Sequence, residues 1–184
     1  MAWREDVVDG VRIIRPAESP HGATIAFSGR GHAPEEEPTP TAFLARRLAG
    51  AVGLGPTAIH WAKQVHGNVA TTVGEVGPEA EAVNVGECDA LVTKREGVAL
   101  VVQTADCVPI LLSAGSAVGA AHAGWRGSAR NVAGAAVEAL ERLGVDPAEV
   151  SAWLGPSIGP CCYEVGGEVA AQFAGEFVRR TGCR

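Results

Sequence analysis

Gln103-Thr104-Ala105-Asp106-Cys107-Val108-Pro109 and, further along, Ala117-Val118-Gly119-Ala120-Ala121-His122-Ala123-Gly124-Trp125-Arg126-Gly127 decide how this chain is read. Each follows or contains an apolar, β-like run: Val98–Val102 before the cysteine, Ala117–Ala121 before the histidine. A thiol and an imidazole at the mouths of neighbouring strands suit a zinc site or a nucleophile–base pair. His66, in Lys63-Gln64-Val65-His66-Gly67, supplies a third donor. Three protein ligands leave one coordination position open, which is the catalytic rather than the structural form of a zinc site.

Each residue also has a plainer reading. A lone cysteine between strands serves well as a small core side chain. Asp106 beside it changes the balance, because a carboxylate at a proline-broken strand end resists burial without a partner. His122 can equally be a core histidine bonded to a backbone carbonyl. The residues after it favour a site. Gly124 and Gly127 allow close backbone approach, Arg126 carries a forked donor for phosphate or carboxylate, and the next helix start adds free N–H groups. Trp125 can stack on a base or cover the core, and Arg126 can instead be a structural ion-pair partner. His21, His32 and His60 compete with His66, which is selected by its place at a strand end beside a glycine turn.

Composition narrows the classes. A length of 184 residues with 47% hydrophobic content fits one domain with a real core. A net charge of −6 and the lack of a long basic stretch disfavour nucleic acid. The pairs Arg46-Arg47 and Arg179-Arg180 read as solvated helix faces. The charged start Met1-Ala2-Trp3-Arg4-Glu5-Asp6 lacks a signal-peptide core, and no apolar run approaches the roughly 20 residues of a membrane span. The expectation is a cytoplasmic protein with no membrane partner. Its five cysteines then read as thiols or ligands. Cys88, Cys161, Cys162 and Cys183 read as small buried or incidental side chains, the adjacent pair being poorly placed to bridge.

Along the chain, short strands are expected at Val11–Arg15 and Ala23–Phe27, and a loop at Ser28–Pro40. A helix capped by Thr41 should bury Leu44, Leu48 and Val52 and stop at Gly53 and Gly55-Pro56. Ile59–Val65 alternates as a strand that delivers His66 to a Gly67-Asn68 turn. Val69–Val73 follows as a strand, and Gly74–Gly86 as an acidic loop. Asp89–Thr93 and Val98–Val102 look like a strand pair joined by residues 94–97. Pro109 marks an interrupted or edge strand, with the apolar run resuming over Val108–Leu112. Gly124–Gly127 reads as a tight loop, and Ser128 as the cap of a helix facing inward with Val132, Ala136, Leu140 and Leu143 and stopped by Gly144. Asp146-Pro147 starts a turn, Val150–Leu154 is a strand, Gly155–Cys162 a loop, and Glu168–Arg180 a last helix burying Val169, Phe173 and Phe177.

Five motifs in one order carry a resemblance. They are Lys63–Gly67; Cys88-Asp89-Ala90-Leu91-Val92-Thr93; Thr104–Pro109; His122–Gly127; and Leu154-Gly155-Pro156-Ser157-Ile158-Gly159-Pro160-Cys161-Cys162-Tyr163-Glu164-Val165-Gly166. Together they resemble the laccase-domain, or polyphenol oxidase, family, whose bacterial members are also called peptidoglycan editing factors. The resemblance implies an α/β fold of layered mixed β-sheets flanked by helices, related to Cys–His deamidases. It also implies zinc held by His66, Cys107 and His122. The implied activity is purine nucleoside phosphorolysis (adenosine, inosine, guanosine, methylthioadenosine) with adenosine deamination, in a monomer or homodimer. Cys107, His122 and Asp106 are then the catalytic set, Asp106 as proton shuttle or ligand orienter. Arg126, Arg30 and Gln64 are the substrate and phosphate set. Phe27-Ser28-Gly29-Arg30-Gly31-His32 departs from the family's Thr-Arg-x-Gly-Gly-Val-Ser-like stretch, with Arg30 and its glycine neighbour matching. Family members also run on past Gly182-Cys183-Arg184, so residues 1–184 read as one domain without the family's C-terminal segment.

Three rivals stand beside this. One is a metal-free cysteine hydrolase using Cys107 and His122. A second is a non-catalytic zinc- or nucleoside-binding module in cell-wall editing. The third, a multicopper oxidase, is disfavoured: a blue-copper centre with a trinuclear cluster needs on the order of ten histidines, and the chain has five with no His-x-His pair.

Overall fold

The computed structural model describes residues 2–8, 10–29, 35–36, 40–54, 58–74 and 82–173. Three sheets organise them. The N-terminal sheet is antiparallel: β1 (Trp3–Val8), β2 (Val11–Pro16) and β3 (Phe27–Ser28). After α1 (Pro40–Ala51) come β4 (Ala58–Lys63) and β5 (Ala70–Thr72), then β6 (Ala82–Glu87), β7 (Ala90–Thr93) and β8 (Val98–Val101). β9 (Val108–Ala114) and β10 (Ala117–Ala123) precede α2 (Trp125–Ala129) and α3 (Val132–Arg142), and β11 (Ser151–Leu154) and α4 (Gly167–Ala170) follow. The central sheet runs β11-β9-β10-β7-β5, antiparallel except for the parallel β5–β7 pair. The third sheet, β6-β4-β8, is wholly parallel. The described residues thus have the layered mixed α/β architecture that the motifs imply.

The layers follow from alternation along the central strands. Ala90, Val92, Ile110, Leu112 and Ala121 face α3, where Val132, Ala136, Ala139 and Leu140 are fully buried. Small residues on both surfaces let helix and sheet approach closely. At Gly119 a Cβ would lie 3.2 Å from Val92 and 3.4 Å from Leu112. The opposite face is shared. Leu91 packs with Cys88, Val73 and the β6-β4-β8 sheet, whereas Leu111 and Trp153 pack with Ile14, Ile25 and Phe27 of the N-terminal region.

Several local expectations change. Thr41 lies inside α1, which starts at Pro40, and its hydroxyl reaches Gln103 Oε1 at 3.0 Å. Ala42, Ala45 and Ala49 form the buried stripe, with Leu44, Leu48 and Val52 half-buried beside it. Gly53 does end the helix, in the left-handed conformation with φ 80°. β6 occupies part of the presumed acidic loop. β7 and β8 are not a hairpin: the chain leaves the central sheet after Thr93 and, through Gly97 at φ 71°, enters the β4 sheet. Pro109 sits in an interior strand opposite His122, and the N–H it lacks falls at the end of the β11 pairing rather than inside it. Its carbonyl, which shares a side with the ring nitrogen, accepts from Gly155 at 2.9 Å beyond the end of β11. Trp125–Ala129 is a helical turn rather than a loop, and Asn131, not Ser128, caps α3. α4 ends at Ala170, Val169 and Phe173 are half-buried, and Phe177 and Arg179-Arg180 lie outside the described residues, as do Arg30, His32 and Cys183.

Candidate metal centre

Antiparallel pairing of β9 and β10 sets two of the three donors side by side. Val108 is opposite Ala123, so Cys107 at the mouth of β9 comes abreast of Gly124. His122 is the penultimate residue of β10 and is buried, Cys107 is half-buried, and His66 is exposed. His66 arrives from another sheet, in the turn after β4, and holds φ 58°. That left-handed backbone is uncommon for a side-chain-bearing residue and needs a reason.

Asp89 is the reason. Its carboxylate is buried, and it accepts from the N–H groups of Val65 (3.2 Å), His66 (2.9 Å) and Gly67 (2.7 Å). Three successive N–H groups converging on one anion form a nest, which the left-handed His66 makes possible. The same carboxylate meets His122 Nδ1 at 2.8 Å, and the Asp89 carbonyl accepts from the His122 N–H at 2.7 Å. One side chain therefore positions both histidines and leaves Nε2 of His122 as the nitrogen open to a metal. Burial pushes the Asp89 carboxyl up, but its hydrogen bonds to His122 and to the Gly67, Val65 and His66 N–H groups outweigh this and hold it below the ordinary carboxylate range.

The donor atoms of His66, Cys107 and His122 all lie within 4.8 Å of one another. The two imidazoles meet edge to face, centroids 4.8 Å apart at 81°. Ligands of a tetrahedral zinc are about 3.3–3.6 Å apart, so shifts of about an ångström close this set on an ion. Gly124 keeps the space clear: a Cβ there would stand 2.8 Å from His66 Cδ2 and 3.1 Å from Cys107 Sγ. At Gly127 a Cβ would meet the Gly67 carbonyl at 2.8 Å, so this glycine lets α2 press on the His66 turn. Two nitrogens, a soft thiolate, a hydrogen-bonded second imidazole nitrogen and an exposed side fit zinc. Without an ion, burial pushes the Cys107 thiol up, with the Asp106 and Asp89 carboxylates adding to it.

The other residues singled out from the sequence fall around this centre. Asp106 is exposed, and its carbonyl accepts from Ile158 at 3.0 Å. The orienting carboxylate on His122 is Asp89, which sequence reasoning missed. Arg126 is exposed and lies 4.2 Å over the Trp125 ring. α2 has only five residues, so its dipole adds little to Arg126 for holding an anion. Gln64 spends its amide on the backbone of Gln103, donating to the carbonyl (2.7 Å) and accepting from the N–H (2.8 Å). It thereby ties the Cys107 loop to the His66 turn. Of the competing histidines, His21 is exposed in a 3-10 turn and His60 is buried between sheets.

A family described as multi-copper polyphenol oxidoreductase laccase matches residues 31–183. Purine nucleoside phosphorylase ORF3 of Streptomyces griseus is 43% identical over 148 residues, which are 79% of this chain and 59% of that protein. Purine nucleoside phosphorylase YfiH of Escherichia coli K12 is 40% identical over 131 residues, 70% of this chain and 50% of that protein. This chain thus spans little more than half the length of such relatives. Among solved structures, YlmD from Geobacillus stearothermophilus superposes with a TM-score of 0.66 at 31% identity, covering 88% of this chain and 63% of that one. Neisseria meningitidis NMB0706 does so with a TM-score of 0.62 at 28% identity, covering 93% and 69%.

Proposed function

The chain belongs to the multi-copper polyphenol oxidoreductase laccase family, and from that premise we propose that it is a zinc-dependent purine nucleoside phosphorylase. Its substrates are adenosine, inosine, guanosine and methylthioadenosine with phosphate, and it deaminates adenosine as a second activity. The names of its relatives support the reaction class. The observation that carries the zinc dependence is the convergence of His66, Cys107 and His122 within 4.8 Å around a Gly124 that clears the space. When bound, zinc supplies Lewis-acid polarisation at that point. The metal is zinc rather than a set of coppers, because five histidines are too few for the roughly ten that a blue-copper and trinuclear pair requires.

The chain's own groups do the rest. Asp89 fixes the tautomer and orientation of His122 and the turn that bears His66. Arg126, pre-stacked on Trp125, offers a forked donor to the attacking phosphate. Arg30 is a second anion ligand in this reading. Asp106, exposed beside Cys107, moves the proton in deamination. Gln64 serves substrate indirectly, by holding the Cys107 loop in place. Phosphorolysis is tested by following phosphate-dependent release of hypoxanthine from inosine, with metal content measured on the same sample. One zinc per chain and loss of both zinc and turnover in Cys107→Ser are expected. Full turnover by the chelated, zinc-free protein overturns the metal role.

A second reading has a specific observation behind it. Asp89–His122–Cys107 is also the order of a thiol, its base and the base's orienter. The upward push on the Cys107 thiol opposes a free thiolate and disfavours it. Iodoacetamide labelling separates the two, since zinc protects Cys107 in the first reading and is irrelevant in the second.

A further inference from the structure

The Gly155–Cys162 loop carries two adjacent thiols that the metal centre does not use. Cys161 and Cys162 are both exposed, unlike the fully buried Cys88, and their sulfurs are 3.5 Å apart. Closing them into a disulfide is disfavoured by the backbone. Neighbouring Cα atoms across a trans peptide are about 3.8 Å apart, shorter than the roughly 4.4–6.8 Å that disulfides adopt. A centre inserted between the sulfurs has no such difficulty. Two thiolates about 2.3 Å from one tetrahedral zinc stand about 3.8 Å from each other, and a pyramidal three-coordinate centre, with its narrower bond angles, brings two sulfurs closer than that, towards the 3.5 Å seen. The loop that presents them is tethered rather than loose. Gly155 donates to Pro109 (2.9 Å), Ile158 to Asp106 (3.0 Å), and Cys162 to Gly159 (3.0 Å) within the turn itself.

We infer that Cys161 and Cys162 form a second, two-thiol site, separate from the His66–Cys107–His122 centre, for a soft thiophilic ion of the trivalent-metalloid type. The tethers hold the two sulfurs together, so the second bond to the ion forms intramolecularly at high effective concentration. With an organic arsenic(III) oxide the step is a condensation. Two As–S bonds form, the arsenic–oxygen bond breaks, and the oxygen leaves as water with the two thiol protons. Arsenic remains trivalent, and no oxidant is needed.

The test adds phenylarsine oxide to the 184-residue chain supplied with zinc and maps the adduct by intact mass and peptide digestion. One phenylarsenic group per chain is expected on the peptide holding both cysteines. It should survive millimolar glutathione and be removed by 2,3-dimercaptopropanol. Cys161→Ser and Cys162→Ser should each lower retention against glutathione by roughly 100-fold or more, whereas Cys88→Ala, Cys107→Ser and Cys183→Ser should keep it. An adduct that maps elsewhere, that glutathione strips from the wild type, or that persists unchanged in Cys161→Ser overturns the site. None of these readouts depends on nucleoside turnover.

Discussion

Replacing Asp89 by asparagine keeps the side chain's shape and removes its charge. The amide can still meet His122 or part of the 65–67 nest, but it cannot accept all four hydrogen bonds that the carboxylate accepts. Zinc affinity should fall about 10- to 100-fold, as for other partners that orient metal-binding histidines, with far-ultraviolet circular dichroism unchanged; competition with a chromophoric chelator measures it. Unaltered affinity would show that the two histidines hold their places without it. Gly124→Ala probes the same space sterically. Gly124 has φ −73°, which alanine adopts freely, so only the added methyl group, against His66 and Cys107, is at issue. Zinc stoichiometry should drop well below one per chain while Tm of the chelated protein stays within a few degrees of wild type. His66, Cys107 and His122 were legible because each sits in a short motif of unusual composition. Asp89 was not, because Asp106 adjoins Cys107 in sequence and took the orienting role on adjacency alone. The better signal was a carboxylate opening the fully buried run Ala90–Thr93, since a charge entering an apolar strand requires partners.

Helix α3 shows what a single cap contributes to an element. Asn131 holds φ 61° and accepts from the Gly134 N–H at 3.1 Å. Asn131→Ala loses the cap, about 1 kcal/mol, and forces alanine into the left-handed region for about 1 kcal/mol more. Asn131→Gly loses the side-chain bond but fits the backbone, and should cost only a few tenths. Urea unfolding at constant m-value separates them; equal losses in both variants would mean that the conformation is not what matters there. The body of α3 was readable in advance, because Val132, Ala136 and Leu140 repeat at helical spacing and Gly144 stops the helix at φ 80°. The cap was not, because Ser128 fits a cap as well on residue type, and only the extra turn of α2 moves the junction to Asn131. Strand partners were similarly hidden. Alternation marks β7 and β8 as strands, but the shortest connection implied a hairpin, whereas β7 pairs with β5 and β10 and is covered on its faces by α3 and the β6-β4-β8 sheet, an arrangement that alternation alone does not specify.

Packing of the two sheets behind the metal centre creates a pH-sensitive weakness of clear sign. His60, on the middle strand of β6-β4-β8, is fully buried, and neither ring nitrogen has a hydrogen-bond partner of good geometry among the described residues. Its register neighbours are Val83 and Leu100, and Leu100 packs on the Val73–Cys88–Leu91 cluster of the central sheet. Burial pushes this imidazole below the ordinary histidine range, against a weaker pull from the Ala58 backbone. The folded state therefore binds fewer protons than the unfolded chain once pH falls below about 6.5. Stability is complete above that value and declines as pH drops towards the folded pKa. The lowered Asp89 carboxyl acts in the same direction, but only below about pH 4. The interval between pH 6.5 and 4.5 thus lies above the Asp89 range, and comparison with a His60 variant assigns the part of the decline that belongs to this imidazole. His60→Leu replaces an imidazole with unpaired nitrogens by an apolar side chain of similar size, which should stabilise the protein at pH 7 by about 1 kcal/mol. More tellingly, it should flatten the decline in stability between pH 6.5 and 4.5 that the wild type shows in urea melts with chelator present. Parallel pH profiles for the two proteins would mean that the imidazole finds a proton acceptor when charged, and that the interface between the sheets tolerates the ion.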